Sequence, residues 1–182
     1  MLAPLTPPPP PSLQEWVEYG TIEQSAADAI VSCVDNPAHL DLSDKYFVML
    51  GAGSAMGPFK VLMALGANVV AIDLDRAGIW KNLITTARNS PGSITFPLKI
   101  PEKSCADDAA LFANAGCNLF TETPIIKDWL VPLYPKEDFV VGSYAYLDGA
   151  LHVQVSSHAQ TASSSEASVR RGGGERTACT VV

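Results

Sequence analysis

Charged residues are scarce in this chain, and their balance argues against some classes of binding partner. Only 17% of the 182 residues are Asp, Glu, Lys or Arg, and the formal net charge is −7. An acidic total of this kind does not indicate a surface for nucleic acid or for an anionic membrane. No apolar run is long enough to cross a bilayer as a helix. We therefore expect no nucleic-acid partner and no transmembrane segment.

Cysteine is also sparse, and its spacing excludes the common metal and redox motifs. The four cysteines are far apart and include no C-x-x-C pair: Cys33, Cys105, Cys117 and Cys179. Short-range cysteine pairs are what structural zinc sites and dithiol motifs use. We expect no metal site, and we expect reduced thiols in a cytoplasmic or other intracellular setting.

Both ends of the chain lack the apolar periodicity of a packed element. Residues 1–11 contain a run of five prolines, which predicts an extended, disordered leader. Residues 159–182 are rich in Ser, Ala, Gly and Thr, and we predict a disordered tail there. The last four residues, from Cys179, have the C-a-a-X form of a prenylation signal. Because valine is not a usual terminal residue for that signal, lipidation of Cys179 is the less favoured interpretation.

Residues 12–44 predict a helical N-terminal extension. Ser12 and Glu15 have the S-x-x-E spacing of a capping box, and Thr21 with Gln24 offers a second cap. Apolar residues then recur at helical spacing, and the Asn-Pro pair that follows is a signal for the end of a helix.

Residues 45–76, KYFVMLGAGSAMGPFKVLMALGANVVAIDLDR, organise the rest of the chain. A short apolar run predicts a buried strand, and the glycine-rich turn Gly51–Gly57 follows it. A helix-like segment comes next and closes at Gly66, in the position that favours glycine. A second apolar strand ends on Asp73. The order is strand, glycine turn, helix, strand and acid.

This order resembles the NAD(P)-binding fingerprint of the Rossmann-fold superfamily, G-x-G-x-x-G. The third glycine of that motif would fall at position 56, which is Met56 here, and the glycine comes one residue later, at Gly57. The resemblance implies that Gly51 allows the tight turn and that Gly53 lets the backbone approach a pyrophosphate. The N-terminus of the next helix would face the phosphates. Asp73 would hold the adenosine ribose.

An acid at the end of the second strand favours NAD as the cofactor, because a 2′-phosphate would meet a like charge there. Arg76 leaves NADP open. The candidate cofactor-binding residues are Gly51, Gly53, Ser54, Ala55, Met56, Gly57, Asp73, Asp75 and Arg76.

The chain after Arg76 alternates helix-like and strand-like segments. Helices are predicted at 77–89, at 107–112 and from 123, and strands at 93–98, 117–120, 139–141 and 151–155. This alternation predicts an α/β domain over residues 45–158 with a doubly wound, mostly parallel sheet. In the helix at 77–89, Trp80 favours core packing over a cofactor contact, and the polar side carries Lys81, Asn82 and Arg88.

Ligands bind at the carboxyl ends of the strands in such sheets. That rule predicts one crevice formed by the glycine loop, Asp73 and residues 98–100, 120–123 and 142–146. Tyr144, Tyr146 and Asp148 are the first polar groups to consider there. No catalytic residue can be assigned.

Short-chain dehydrogenases, whose N-A-G turn resembles Asn114-Ala115-Gly116, use a Tyr-x-x-x-Lys pair. None of the five tyrosines here has lysine four residues later. The standard active site of that family is therefore absent from this sequence.

Two other nucleotide-binding classes fit less well. Methyltransferases that use S-adenosylmethionine share the glycine turn and the acid, but they have an acid where this chain has Met49 and a glycine where it has Ala55. A phosphate-binding P-loop is excluded because Pro58 follows Gly57.

We expect an NAD(P)-binding, oxidoreductase-like protein. A truncated form of a longer oxidoreductase and a non-catalytic dinucleotide-binding module are both consistent with a recognisable fold that stops near residue 158. A homo-oligomer stays open.

Overall fold

The computed structural model describes residues 12–118, 121–144 and 177–181, and these belong to two compact units divided between Leu40 and Asp41. Several predictions made from the sequence lie outside the described residues. They concern the leader, Tyr146, Asp148, the strand at 151–155 and most of the tail.

The first unit is helical, as predicted. It contains α1 (Leu13–Glu18), α2 (Gln24–Asp35) and a 3-10 turn at Pro37–Leu40. The capping box is confirmed, because Ser12 and Glu15 each accept the backbone N–H of the other. The predicted second cap is wrong, since α2 has no side-chain cap. Gln24 is already the first residue of that helix, so it does not stand at the third helical position that a capping box needs.

The second unit is an α/β layer structure around one sheet. Its elements are β1 (Tyr46–Leu50), α3 (Phe59–Ala64), β2 (Asn68–Ile72), α4 (Ala77–Arg88), β3 (Ser93–Leu98), a 3-10 turn (Glu102–Ser104), α5 (Asp108–Asn114), α6 (Thr123–Leu130), β4 (Phe139–Ser143) and β5 (Thr177–Val181). The strand order is β4-β1-β2-β3-β5, with four parallel strands and β5 antiparallel to β3. The predicted α/β class with a mostly parallel sheet is confirmed.

Helices cover both faces of this sheet. Met49 of β1 belongs to an apolar cluster with α3, α4 and α5, whereas its neighbours Val48 and Leu50 belong to a cluster with α6. Successive side chains of a strand point to opposite faces, so the clusters lie on opposite sides of the sheet. Trp80 is fully buried in the first cluster, and its indole N–H donates to Leu74 O at 2.9 Å. The prediction that Trp80 packs in the core is confirmed.

The predicted strand at 117–120 is wrong for the residues that the structure describes. Cys117 is not in a strand, and the chain around it crosses the carboxyl ends of β3 and β2. Gly116 N–H donates to Pro97 O at 2.9 Å, and Cys117 N–H donates to Asp73 O at 3.0 Å. A short apolar run can be buried by such a crossing as well as by a strand, and its length alone cannot distinguish the two.

The predicted disorder of the tail is wrong for residues 177–181. They form β5, which pairs with β3 along its whole length. Cys179 is fully buried there, and burial together with Glu102 raises the pKa of its thiol to about 12. A thiol that is buried and keeps its proton is a poor nucleophile, so the fold gives no support to lipidation at Cys179.

Within the described residues, no helix is both long and apolar enough to cross a membrane. The same residues include no group of three His, Cys, Asp or Glu side chains placed to hold a metal ion.

Candidate functional site

The glycine loop leaves the carboxyl end of β1 and turns at Gly51. Gly51 has a φ of +86°, in the left-handed region that favours glycine. The N–H groups of Gly51 and Ala52 donate to Ile72 O at 2.8 and 3.3 Å. These bonds attach the start of the loop to the carboxyl end of β2.

Most N–H groups of the loop are used inside the protein. Those of Ser54 and Gly57 donate to the carbonyl oxygen three residues earlier, at 3.0 Å each. The N–H groups of Ala55 and Met56 have no hydrogen-bond acceptor within the described part of the chain. These two groups can therefore bind an anion without breaking a bond that the loop already makes.

Asp73 lies beneath the loop. The residue is 6% exposed, and its two carboxylate oxygens accept the N–H groups of Gly53 at 2.6 Å and Leu74 at 2.7 Å. Burial raises the pKa of Asp73, while these two hydrogen bonds and the charge of Arg76 act in the opposite direction. The carboxylate that the sequence assigns to ribose is thus engaged with the backbone of the loop.

A cavity of about 860 Å³ opens beside the loop. Its walls are the loop, the start of α3 and one side of α4. Of the predicted residues, Gly53, Ser54, Ala55, Gly57 and Arg76 line it, whereas Gly51, Met56, Asp73 and Asp75 do not.

Three basic side chains line this cavity, and no acidic residue of the described ranges does: Lys60, Arg76 and Lys81. None of the three belongs to a salt bridge formed among the described residues. Hydroxyl and amide groups add polar contacts, from Ser54, Asn82, Thr85 and Thr86. The cavity is therefore suited to an anionic ligand.

The sequence indicated only part of this lining. Arg76 was a candidate residue, and Lys81 was assigned to the polar side of its helix. Lys60 was missed, because its place beside Lys81 depends on how α3 packs near α4. A lysine in the first turn after a glycine loop is the signal that would have found it.

Other predicted groups do not line the cavity. Asp75 pairs with Lys99 at 2.7 Å. Tyr144, the one described member of the three polar candidates, packs against the first apolar cluster, and its N–H donates to Leu50 O at 2.7 Å. Arg88, from the polar side of α4, makes two hydrogen bonds to Asp108, at 2.6 and 2.9 Å.

The predicted crevice is only partly brought together. The glycine loop borders the cavity, but residues 98–100, 121–123 and 142–144 do not line it. Chain around Cys117 occupies the carboxyl ends of β2 and β3, where the crevice was expected.

Comparison with known proteins identified no similar protein. A scan against models of protein families found no matching family, and searches of curated proteins and of solved structures found no match.

Proposed function

We propose that this protein binds an NAD(P)-type dinucleotide in the cavity beside the glycine loop and is an oxidoreductase-like protein. The observation that carries the proposal is the combination of that loop with a cavity whose charged side chains, among the residues described, are all basic: Lys60, Arg76 and Lys81. The phosphates of such a ligand are the groups that this lining can recognise.

Charge is the first support. The chain has a net charge of −7, so three cations in one cavity, with no carboxylate from the described part of the chain, depart from its average surface. All three side chains are exposed, so each would contribute modestly, on the order of 1 kcal/mol or less, because solvent screens the attraction. Together they would attract a pyrophosphate.

Hydrogen-bond donors are the second support. The N–H of Ala55 has no acceptor among the described residues, and the Ser54 hydroxyl lies on the same wall of the cavity. A volume near 860 Å³ falls within the range of about 300–1,000 Å³ that small-molecule sites occupy. The α3 helix has only six residues, so its N-terminus is not counted among these donors.

The fold is compatible with this ligand class. The loop follows the carboxyl end of β1, the position at which open parallel sheets bind nucleotides. Helices on both faces support a doubly wound arrangement, which is part of the proposal. No acid–base group is assigned, so the proposal includes a dinucleotide-binding module that has no catalytic activity.

S-adenosylmethionine fits the lining less well. That ligand has no phosphate and carries a sulfonium cation, which three basic side chains would repel. No observation on this site favours it over a dinucleotide.

Calorimetric titration tests the proposal. The parent protein should bind NAD or NADP, and the double variant Lys60→Gln, Lys81→Gln should bind at least tenfold more weakly, equivalent to about 1.4 kcal/mol. Lys136→Gln is the matched control, because Lys136 is exposed and does not line the cavity. Circular dichroism checks that the variants are folded. Failure of the parent to bind either dinucleotide, or equal affinities in parent and double variant, would overturn the proposal.

A further inference from the structure

We infer that Asp73 is a positioning residue, which holds the glycine loop in place, and that it does not bind the ribose. The inference rests on the proposed function for the identity of the ligand. The positioning role itself rests on the contacts of Asp73. It follows that the basic side chains of the cavity, and not Asp73, would determine the specificity for NAD or NADP.

The contacts of Asp73 are directed into the protein. One carboxylate oxygen accepts Gly53 N–H at 2.6 Å, and the other accepts Leu74 N–H at 2.7 Å. Each oxygen keeps a second acceptor site, but Asp73 is only 6% exposed and does not line the cavity. A ligand would have to displace part of the loop to reach it.

The loop is built around this carboxylate. A Cβ added to Gly53 would lie 3.1 Å from one Asp73 oxygen and 2.7 Å from a methyl group of Ile79. Gly53 and Ile79 both line the cavity. The hydrogen bond from Gly53 to Asp73 therefore holds one wall of the cavity in place, through a residue that does not itself line the cavity.

The consequence concerns specificity. A carboxylate that accepts two hydroxyls of the ribose repels a 2′-phosphate, and this repulsion is the usual reason for an NAD preference. Asp73 has no such direct contact to offer in this structure. Discrimination would instead come from Lys60, Arg76 and Lys81, which attract an additional phosphate.

The variant Asp73→Asn separates the two roles. Asparagine keeps the shape, but its amide has one acceptor oxygen, and its NH₂ would face one of the two backbone N–H groups. A positioning role predicts that NAD and NADP both bind several-fold more weakly and that the ratio of their affinities stays within about twofold. A ribose contact predicts that the ratio shifts toward NADP.

Amide hydrogen exchange gives a readout that needs no ligand. The Gly53 amide should exchange at least tenfold faster in Asp73→Asn, while the Val70 amide in β2 stays protected. Asp138→Asn, which changes an exposed acid outside the cavity, should leave both amides unchanged. If the Asn variant fails to fold, the parent alone is decisive: Gly53 should remain equally protected when NADP is added.

Each outcome has one meaning. Unchanged exchange of Gly53 in a folded Asn variant, loss of its protection in the parent when NADP binds, or a shifted affinity ratio would overturn the inference. Faster exchange of Gly53 without any dinucleotide binding in the parent would uphold the positioning role and defeat the proposed function.

Discussion

Gly53 shows how one residue can be required for a reason other than the one its motif suggests. The resemblance explains this glycine by the approach of a pyrophosphate. In the structure, the missing Cβ also leaves room for Ile79 and for the carboxylate of Asp73, at 2.7 and 3.1 Å from where it would stand. Gly53 is therefore required by packing even without a ligand.

We expect Gly53→Ala to lower the free energy of unfolding by about 1–3 kcal/mol, the usual cost of overpacking. The matched control is Gly78→Ala, where a Cβ would have nothing within 4 Å. Because Gly78 lies in α4, alanine there should stabilise by about 0.5–1 kcal/mol. Urea unfolding measures both. Equal stability of Gly53→Ala and the parent would contradict the packing argument.

Spacing in the sequence indicated which residues near the loop matter, but it did not indicate what they touch. Gly51, Gly53 and Asp73 were all singled out, and the left-handed turn at Gly51 bears out its conformational reason. The partner of Asp73 could not be predicted, because a carboxylate at a strand end can face outward to a ligand or inward to the loop. Its burial and its two backbone partners decide between these, and both depend on how the loop folds over the end of β2.

At the scale of elements, the sequence predicted most of the sheet. Strands β1, β2 and β3 and helices α3 and α4 lie where apolar periodicity put them, because each has a run of buried side chains bounded by glycine or polar turns. Two elements were misassigned for opposite reasons. The run at 117–120 was assigned to a strand, but its described part at Cys117 crosses strand ends. Strand β5 follows a Ser- and Gly-rich stretch, which obscured the short pattern of its apolar residues Ala178, Cys179 and Val181.

Strand β5 should contribute measurably to stability. Its Cys179 is fully buried against the first apolar cluster, and Thr180 Oγ1 lies 2.9 Å from the hydroxyl oxygen of the buried Thr95. Removal of residues 177–182 should lower the melting temperature by about 5 °C or more, because a buried side chain is worth about 1.5–3 kcal/mol.

The control for this truncation is removal of residues 1–11 from the other end, which composition predicts to contribute no core contact. It should change the melting temperature by no more than about a degree. Differential scanning calorimetry measures both variants. If the protein without residues 177–182 has the same melting temperature as the parent, β5 does not contribute to the stability of the sheet.

The basic cavity also belongs to the scale of elements, because it arises where two helices meet. Lys60 comes from α3 and Lys81 from α4, and they are 21 positions apart in the sequence. Periodicity placed each residue on its helix, but only the packing of α3 and α4 beside the loop brings them to the same cavity. Arg76, at the start of α4, was predicted because it comes three residues after Asp73.

For the whole molecule, the candidate site lies in the unit from Asp41 onward. Among the strands that the structure describes, β4 lies at one edge of the sheet, and its Val140 and Val141 are exposed on opposite faces. A homo-oligomer stays a prediction. The organisation of the second unit, with one sheet between helices and a glycine loop beside a basic cavity, is the basis for its proposed role.

The most direct test of that role is to locate the ligand on the intact protein by heteronuclear NMR. On addition of NADP, we expect the largest amide shift changes at residues 53–57, at Lys60 and along residues 76–86, with little change at Val140 and Val141. Those two valines serve as the internal control, because they are exposed and do not line the cavity. An unchanged spectrum at millimolar NADP, or shift changes centred away from the glycine loop and α4, would contradict the account.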